Sequence, residues 1–232
     1  MPAGFKISHA LKQSISTAMI VLPMLLFFTC IFAAAVDFDK LGTLARQRYG
    51  EDAYRDVLAL QQLTSELKTA PESEKLKKIN DFFNQKIVFA DDIDVWGQTD
   101  YWATPLESIA RQAGDCEDFS IAKYMFLKAA NIPNDKLRLT YVRAEVNSQG
   151  NRSARAHMVL SYYATPQSEP LILDSLITEI YPASQRKDLS PIFSFNDKGL
   201  WVGNSNKPKS DAQSHLSKWR DVLLRMRADG LE

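Results

Sequence analysis

The chain has 232 residues, with 28 Lys and Arg against 28 Asp and Glu and 45% apolar side chains. This is a globular composition that excludes a disordered chain. The charge balance excludes the basic excess that holds a protein on nucleic acid, so no nucleic-acid partner is expected. Two cysteines build neither a disulfide framework nor a four-thiolate zinc site.

Residues 1–35 read as a signal peptide. Lys6 and Lys12 are the only charges, an apolar run starts at Ala18, and Ala33-Ala34-Ala35 offers small residues to a signal peptidase. The run also approaches the ~20 residues that span a bilayer, so a retained membrane anchor is the alternative. Either way the domain at 36–232 is exported. Cleavage after Ala35 removes Lys6, Lys12 and Cys30, leaving 26 basic residues against 28 acidic, a net charge of −2. Cys116 is then the only thiol. A lone thiol in an oxidising compartment is either a buried, inert hydrophobe or a reactive group.

Apolar spacing predicts helices over 54–68 (Tyr54, Val57, Leu58, Leu60, Leu63, Leu67) and 74–89 (Leu76, Ile79, Phe82, Phe83, Ile87). Thr104-Pro105-Leu106-Glu107 is a helix start with a capping box and proline at the first helical position. Gly114 is expected to end that helix. A second helix is expected from about Asp115 to Ala130, stopped by Asn131-Ile-Pro133.

From Leu137 the period changes to two. Strands are expected over 137–146, 155–163 and 171–176. In the second, His157, Val159, Ser161 and Tyr163 share one face and Ala156, Met158, Leu160 and Tyr162 the other. Residues 181–209 carry no clear period, although Phe193, Phe195 and Trp201-Val202 suggest short strands. A helix is expected over 211–228. The fold class is α+β: N-terminal helices and the helix at Cys116 packed on an antiparallel sheet, then a C-terminal helix.

Cys116 stands at a predicted helix N-terminus, where free N–H groups and the helix dipole favour a thiolate. A thiolate nucleophile needs an imidazole. The domain has two histidines, His157 and His215; His215 falls in a polar stretch and reads as surface. His157 sits within an apolar strand, either as a core histidine or as the base. Asp174 is a lone acid inside Leu-Ile-Leu-Asp-Ser-Leu, and burial there requires a partner. A hairpin placing His157 opposite Asp174 would centre its turn between Thr165 and Pro166. The turn-rich residues centre nearer Gln167, so a bulge or an asymmetric loop is needed to reconcile them.

Asp115, Glu117 and Asp118 surround the thiol. As helix caps they are ordinary, but their charge opposes a thiolate. A bound cation would remove that conflict, and carboxylate oxygens suit calcium.

Three motifs together, Gly114-Asp-Cys-Glu-Asp-Phe119, Arg155-Ala-His-Met-Val-Leu160 and Leu171-Ile-Leu-Asp-Ser-Leu176, resemble the LapG family of bacterial transglutaminase-like cysteine proteinases. The block Trp96–Glu107 is similar to the family's as well, and the resemblance covers most of residues 40–228. It implies a transglutaminase-like, papain-like core with Cys116, His157 and Asp174 as catalytic triad. It implies calcium held by Asp115 and Glu117, with Asp118 beside them. It further implies a periplasmic endopeptidase that cuts a large surface adhesin near its N-terminus at a di-alanine, releasing it and dispersing the biofilm. A LapD-like inner-membrane receptor for cyclic-di-GMP would sequester the enzyme. Two alternatives remain open: a transglutaminase-like acyltransferase using an amine acceptor, and a non-catalytic exported binding module.

Overall fold

The computed structural model describes residues 36–148, 151–203, 205 and 207–231, together with Met1 and Gly4. The predicted signal segment, with Cys30, otherwise lies outside the described residues. Among the described residues no helix is long and apolar enough to cross a membrane.

Three helices open the domain: α1 (Phe38–Tyr49), α2 (Glu51–Leu67) and α3 (Glu72–Lys86). Sequence periodicity missed α1 because the side it buries is small: Leu41, Gly42 and Ala45. Its start is fixed by Asp37, whose carboxylate accepts the Lys40 N–H at 3.0 Å. In α2 Val57, Leu60 and Leu67 are buried, whereas Leu58 points outward. α3 ends at Lys86 rather than 89. Val88–Phe89 instead form β1, which pairs in parallel with β2, Ala113–Gly114.

Between these strands lie α4 (Asp92–Trp96) and α5 (Pro105–Arg111). α5 carries the complete capping box expected from Thr104 and Glu107. Its end corrects the sequence reading. Gln112, with φ of 52°, takes the left-handed position, and Gly114 lies beyond it in β2. Gly114 is glycine because a Cβ there would stand 2.5 Å from Oδ2 of Asp118. The residue allows the chain to pass close over the first turn of the next helix.

That helix is α6, Cys116–Ala129. Its residues are buried on every side except at Lys128, the mark of a helix running through a core rather than over a surface. Phe119, Ile121, Met125, Phe126 and Leu127 join one apolar cluster with the N-terminal helices and the sheet.

The sheet is built from β3 (Leu137–Ser148), β4 (Asn151–Tyr162), β5 (Leu171–Leu173), β6 (Tyr181–Pro182), β7 (Leu189–Asn196) and β8 (Gly199–Val202). Their order is β6-β5-β4-β3-β7-β8, and every pair is antiparallel. Over its second half, from His157 to Tyr162, both faces of β4 are buried. Met158 and Leu160 enter the main core, while Val159 packs with Val142 and Ile172 in a second cluster. The C-terminal helix is divided into α7 (Ala212–His215) and α8 (Ser217–Asp229) by the extended backbone of Leu216. Trp219, Val222, Leu223 and Met226 are the buried side of α8. The α+β architecture is as read from the sequence.

Candidate active site

Cys116 is the first residue of α6 and is 9% exposed. Asp115 caps the helix, accepting the Glu117 N–H at 3.2 Å. The thiol donates to Glu117 Oε2 at 2.8 Å, and the Tyr141 hydroxyl donates to Glu117 Oε1 at 2.8 Å. Burial pushes the Cys116 thiol far above its ordinary value, and the Glu117 and Asp115 carboxylates add to this. The Met158 backbone, one residue beyond His157, acts in the opposite sense. α6 is fixed to β4 at this place by Ser120, whose hydroxyl donates to the Met158 carbonyl at 3.2 Å.

His157 and Asp174 form a buried pair, with Nε2 and Oδ1 separated by 2.7 Å. The register that brings them together is simpler than expected. Leu160 pairs with Leu173 and Tyr162 with Leu171, so the hairpin centres between Pro166 and Gln167, where the turn residues lie. No bulge is needed between β4 and β5. β5 stops at Leu173, and Asp174 follows it instead of lying within a strand to 176. Extending the register puts Val159 across from Asp174, with His157 one diagonal step away on the same face. Diagonal neighbours are within reach of long side chains.

Asp174 is 1% exposed and surrounded by donors. Oδ1 also accepts the Leu176 N–H at 3.0 Å. Oδ2 faces the Arg186 guanidinium at 2.8 Å. Its carbonyl accepts from Lys123 Nζ at 2.9 Å and Asn84 Nδ2 at 3.1 Å. Burial alone would raise the Asp174 carboxyl. The bond and charge of His157, the Leu176 N–H and Arg186 instead hold it down at about 2. Lys123 is fully buried within α6, and burial pushes its ammonium down to about 7. His215 is exposed at the end of α7, away from this network.

The acids around Cys116 form two clusters with ligand atoms close enough to share an ion. One is Asp115, Cys116 and Glu117; the other is Asp92, Asp115 and Asp118. Asp92 escaped the sequence reading because it lies 24 positions from Cys116 and joins the site only through the β1–β2 pairing. Asp118 Oδ1 accepts the Ala103 N–H at 2.7 Å, and Asp92 Oδ2 accepts the Tyr101 N–H. Their second oxygens, Asp118 Oδ2 and Asp92 Oδ1, are buried without a hydrogen-bond partner. Two orphaned carboxylate oxygens beside a third acid are a costly arrangement unless a cation completes it.

The segment supplying Tyr101 and Ala103 is fixed from α8. Arg225 bonds Glu107 at 2.7 Å and reaches the Trp102 carbonyl, and Asp229 receives the Thr104 hydroxyl at 2.9 Å. Trp102 stacks on Phe195 with centroids 5.9 Å apart. The block Trp96–Glu107 thus holds the acid cluster in place.

These acids set a pH dependence. Burial and neighbouring carboxylates push Asp115 up to about 9. Burial pushes Asp118 up to about 8 against the Ala103 bond, and Asp92 up to about 6 against the Tyr101 bond. All three folded values exceed the ordinary aspartate value, so the folded state binds more protons than the unfolded one. Their contribution is complete below about pH 4 and is lost as pH climbs through the folded values. In chelator, the protein should melt at a lower temperature at about pH 8.5 than at about pH 5. A melting temperature that rises across that interval would contradict the assignment. Lys123, pushed down to about 7, acts in the opposite sense above that pH, but it is one group against three. Asp174 does not interfere, because its depressed value is felt only as pH falls from about 4 towards about 2.

Residues 48–202 match the family model of bacterial transglutaminase-like cysteine proteinases, BTLCP. The chain belongs to this family. Legionella pneumophila LapG, solved after EGTA treatment, is 42% identical and superposes with a TM-score of 0.71, covering 84% of this chain and 100% of that one. Calcium-bound Legionella pneumophila LapG is 41% identical with a TM-score of 0.68, covering 82% of this chain and 98% of that one. No curated protein matches. The cysteine-proteinase family and the LapG-like, transglutaminase-like fold agree with the resemblance carried by the three motifs.

Proposed function

We propose that this protein is an exported, calcium-dependent cysteine endopeptidase with Cys116 as nucleophile, His157 as base and Asp174 as the group that orients His157. The observation that carries the reading is the buried 2.7 Å pair of His157 Nε2 and Asp174 Oδ1, on a strand that Ser120 ties to the helix starting at Cys116. Asp174 occupies Nε2 and so leaves Nδ1 as the nitrogen that takes the Cys116 proton. The thiolate attacks the scissile carbonyl, and the imidazolium protonates the leaving amine; water then releases the acyl-enzyme. The backbone N–H of Cys116, at the start of α6, supplies one donor for the oxyanion.

The acid cluster fits calcium. Asp92 and Asp118 offer the unpartnered oxygens and Asp115 lies within reach of both, while Glu117 stands next to them with both oxygens engaged by Cys116 and Tyr141. Calcium takes about six to eight oxygens, so these acids would need backbone carbonyls and water to complete its shell. A bound calcium would supply the positive charge that lets two buried carboxylates and the half-buried Asp115 ionise together. The calcium-bound form of the 41% identical Legionella protein supports this choice of metal.

The proposed substrate is the N-terminal region of a large surface adhesin, cut at a di-alanine in the periplasm to release it and disperse a biofilm. A LapD-like inner-membrane cyclic-di-GMP receptor is the proposed regulator, and residues 1–35 the proposed signal peptide. The test is incubation with a recombinant adhesin N-terminus and mapping of the products by mass spectrometry. A single cut between the two alanines is expected. An intact substrate in calcium would rule out this substrate. Transfer of the acyl group to an added amine in place of water would favour the acyltransferase reading.

A further inference from the structure

The segment 181–209 has no period in the sequence, yet it delivers a buried charge to the back of the His157–Asp174 pair. Arg186 ends the short 3-10 turn Ala183–Gln185 after β6. It is 5% exposed, deep burial for a guanidinium. Its Nε and Nη2 bond the two oxygens of Asp188 at 3.0 and 2.7 Å. Nη2 is also 2.8 Å from Asp174 Oδ2. The second contact is an ion pair and not a hydrogen bond, since Asp174 Oδ2 has no hydrogen-bond partner. The Asp188 side chain is 37% exposed. A surface ion pair with Asp188 needs no burial of the guanidinium, so the desolvation is explained by what Arg186 reaches on its other side.

What it reaches is a carboxylate with two inequivalent oxygens. Oδ1 accepts from His157 and from the Leu176 N–H, while Oδ2 has only Arg186. The other charged group packed on Asp174 is Lys123 of α6, which bonds the main-chain carbonyl and leaves the carboxylate alone; Asn84 of α3 bonds the same carbonyl. Lys123 and Asn84 therefore fix the backbone of Asp174, and Arg186 is the group placed to fix the rotation of its side chain. Bidentate anchoring to Asp188 makes the guanidinium a rigid plane, a property lysine lacks.

We propose that Arg186 is a positioning residue: anchored by Asp188, it clamps Oδ2 of Asp174 and so keeps Oδ1 turned to Nε2 of His157. The proposal rests on the roles given above to His157 and Asp174. It deepens them by adding a fourth side chain that touches neither the substrate nor the thiol. Loss of comparable supporting groups around a reacting residue lowers activity by about 10- to 100-fold.

The test uses the calcium-loaded domain and the variants Arg186→Gln and Arg186→Lys, with folding checked by thermal unfolding. Imidazole nitrogen NMR reads the tautomer of His157 without any substrate. The wild type should show one neutral tautomer with its proton on Nε2. Arg186→Gln should show a mixture, and Arg186→Lys should lie between. On a substrate that the wild type cuts, Arg186→Gln should lose about 10- to 100-fold in kcat with KM changed by less than about threefold. A folded Arg186→Gln protein with the single Nε2 tautomer intact overturns the proposal, as does wild-type kcat. A wild type that cuts nothing defeats the endopeptidase reading instead, and the NMR comparison still decides the role of Arg186. Should Arg186→Gln not fold, Asp188→Asn, which loosens the same guanidinium from the exposed side, must produce the mixed tautomer; an unchanged tautomer there is equally contradictory.

Discussion

Replacing Cys116 by alanine should abolish cleavage and leave the fold intact. The sulfur forms the covalent intermediate, and no other thiol exists in the domain at 36–232 to replace it. The structural cost should be small. The side chain is nearly buried, but the change removes one atom about the size of a methyl group, worth on the order of 1 kcal/mol of lost burial. It also removes a donor to Glu117, whose other oxygen keeps its bond from Tyr141. The circular dichroism spectrum should therefore overlay the wild type and the melting temperature should fall by only a few degrees, while product formation falls to background. Retained cleavage in a sample verified by mass spectrometry would remove Cys116 from the mechanism.

Asp174→Asn should produce the second large loss, about 10⁴-fold in kcat. The shape is retained but the donors and acceptors are not. Arg186 stands against Oδ2 and draws the amide oxygen to its own side, which leaves the amide nitrogen facing His157. An amide N–H there forces Nε2 to accept, so the imidazole proton moves to Nδ1, the nitrogen required to receive the thiol proton. The Leu176 N–H also loses its acceptor. KM should change little, because no substrate contact is altered. A variant that folds and turns over within tenfold of the wild type would assign the orienting role to another residue.

The contrast between these two residues and the rest of the site explains how far the sequence could be read. Cys116 and its helix were legible because caps and apolar periodicity are local: Thr104 with Glu107, Asp115 ahead of α6, and Pro133 beyond it all act within a few positions. His157 and Asp174 were legible as polar residues in apolar strands, where burial demands a partner. Their register is not legible, because direct opposition is the simplest expectation for a hairpin pair, whereas Asp174 meets His157 diagonally after β5 ends. The residues that were missed are non-local. Asp92 enters the acid cluster through the parallel pairing of β1 with β2, and Arg186 comes from a segment without periodicity. Lys123 looks like a surface residue of an amphipathic helix until α6 proves to be buried all round. Residue type alone gives Gly114 a helix-ending role; its actual constraint, the nearness of the Asp118 carboxylate, depends on packing.

The central claim joins two features, a buried thiol whose acid neighbours oppose its ionisation and a cluster of those acids with unpartnered oxygens. Calcium dependence of cleavage tests both together. The initial rate should be measured on one di-alanine adhesin segment in chelator, and again after adding back calcium or magnesium. The account predicts loss of cleavage in chelator and recovery with calcium. Magnesium should recover less, because it requires a tighter octahedron than this spread of carboxylates provides. Full-rate cleavage in chelator would contradict the account, reducing Asp92, Asp115 and Asp118 to structural caps and leaving the ionisation of Cys116 without an explanation.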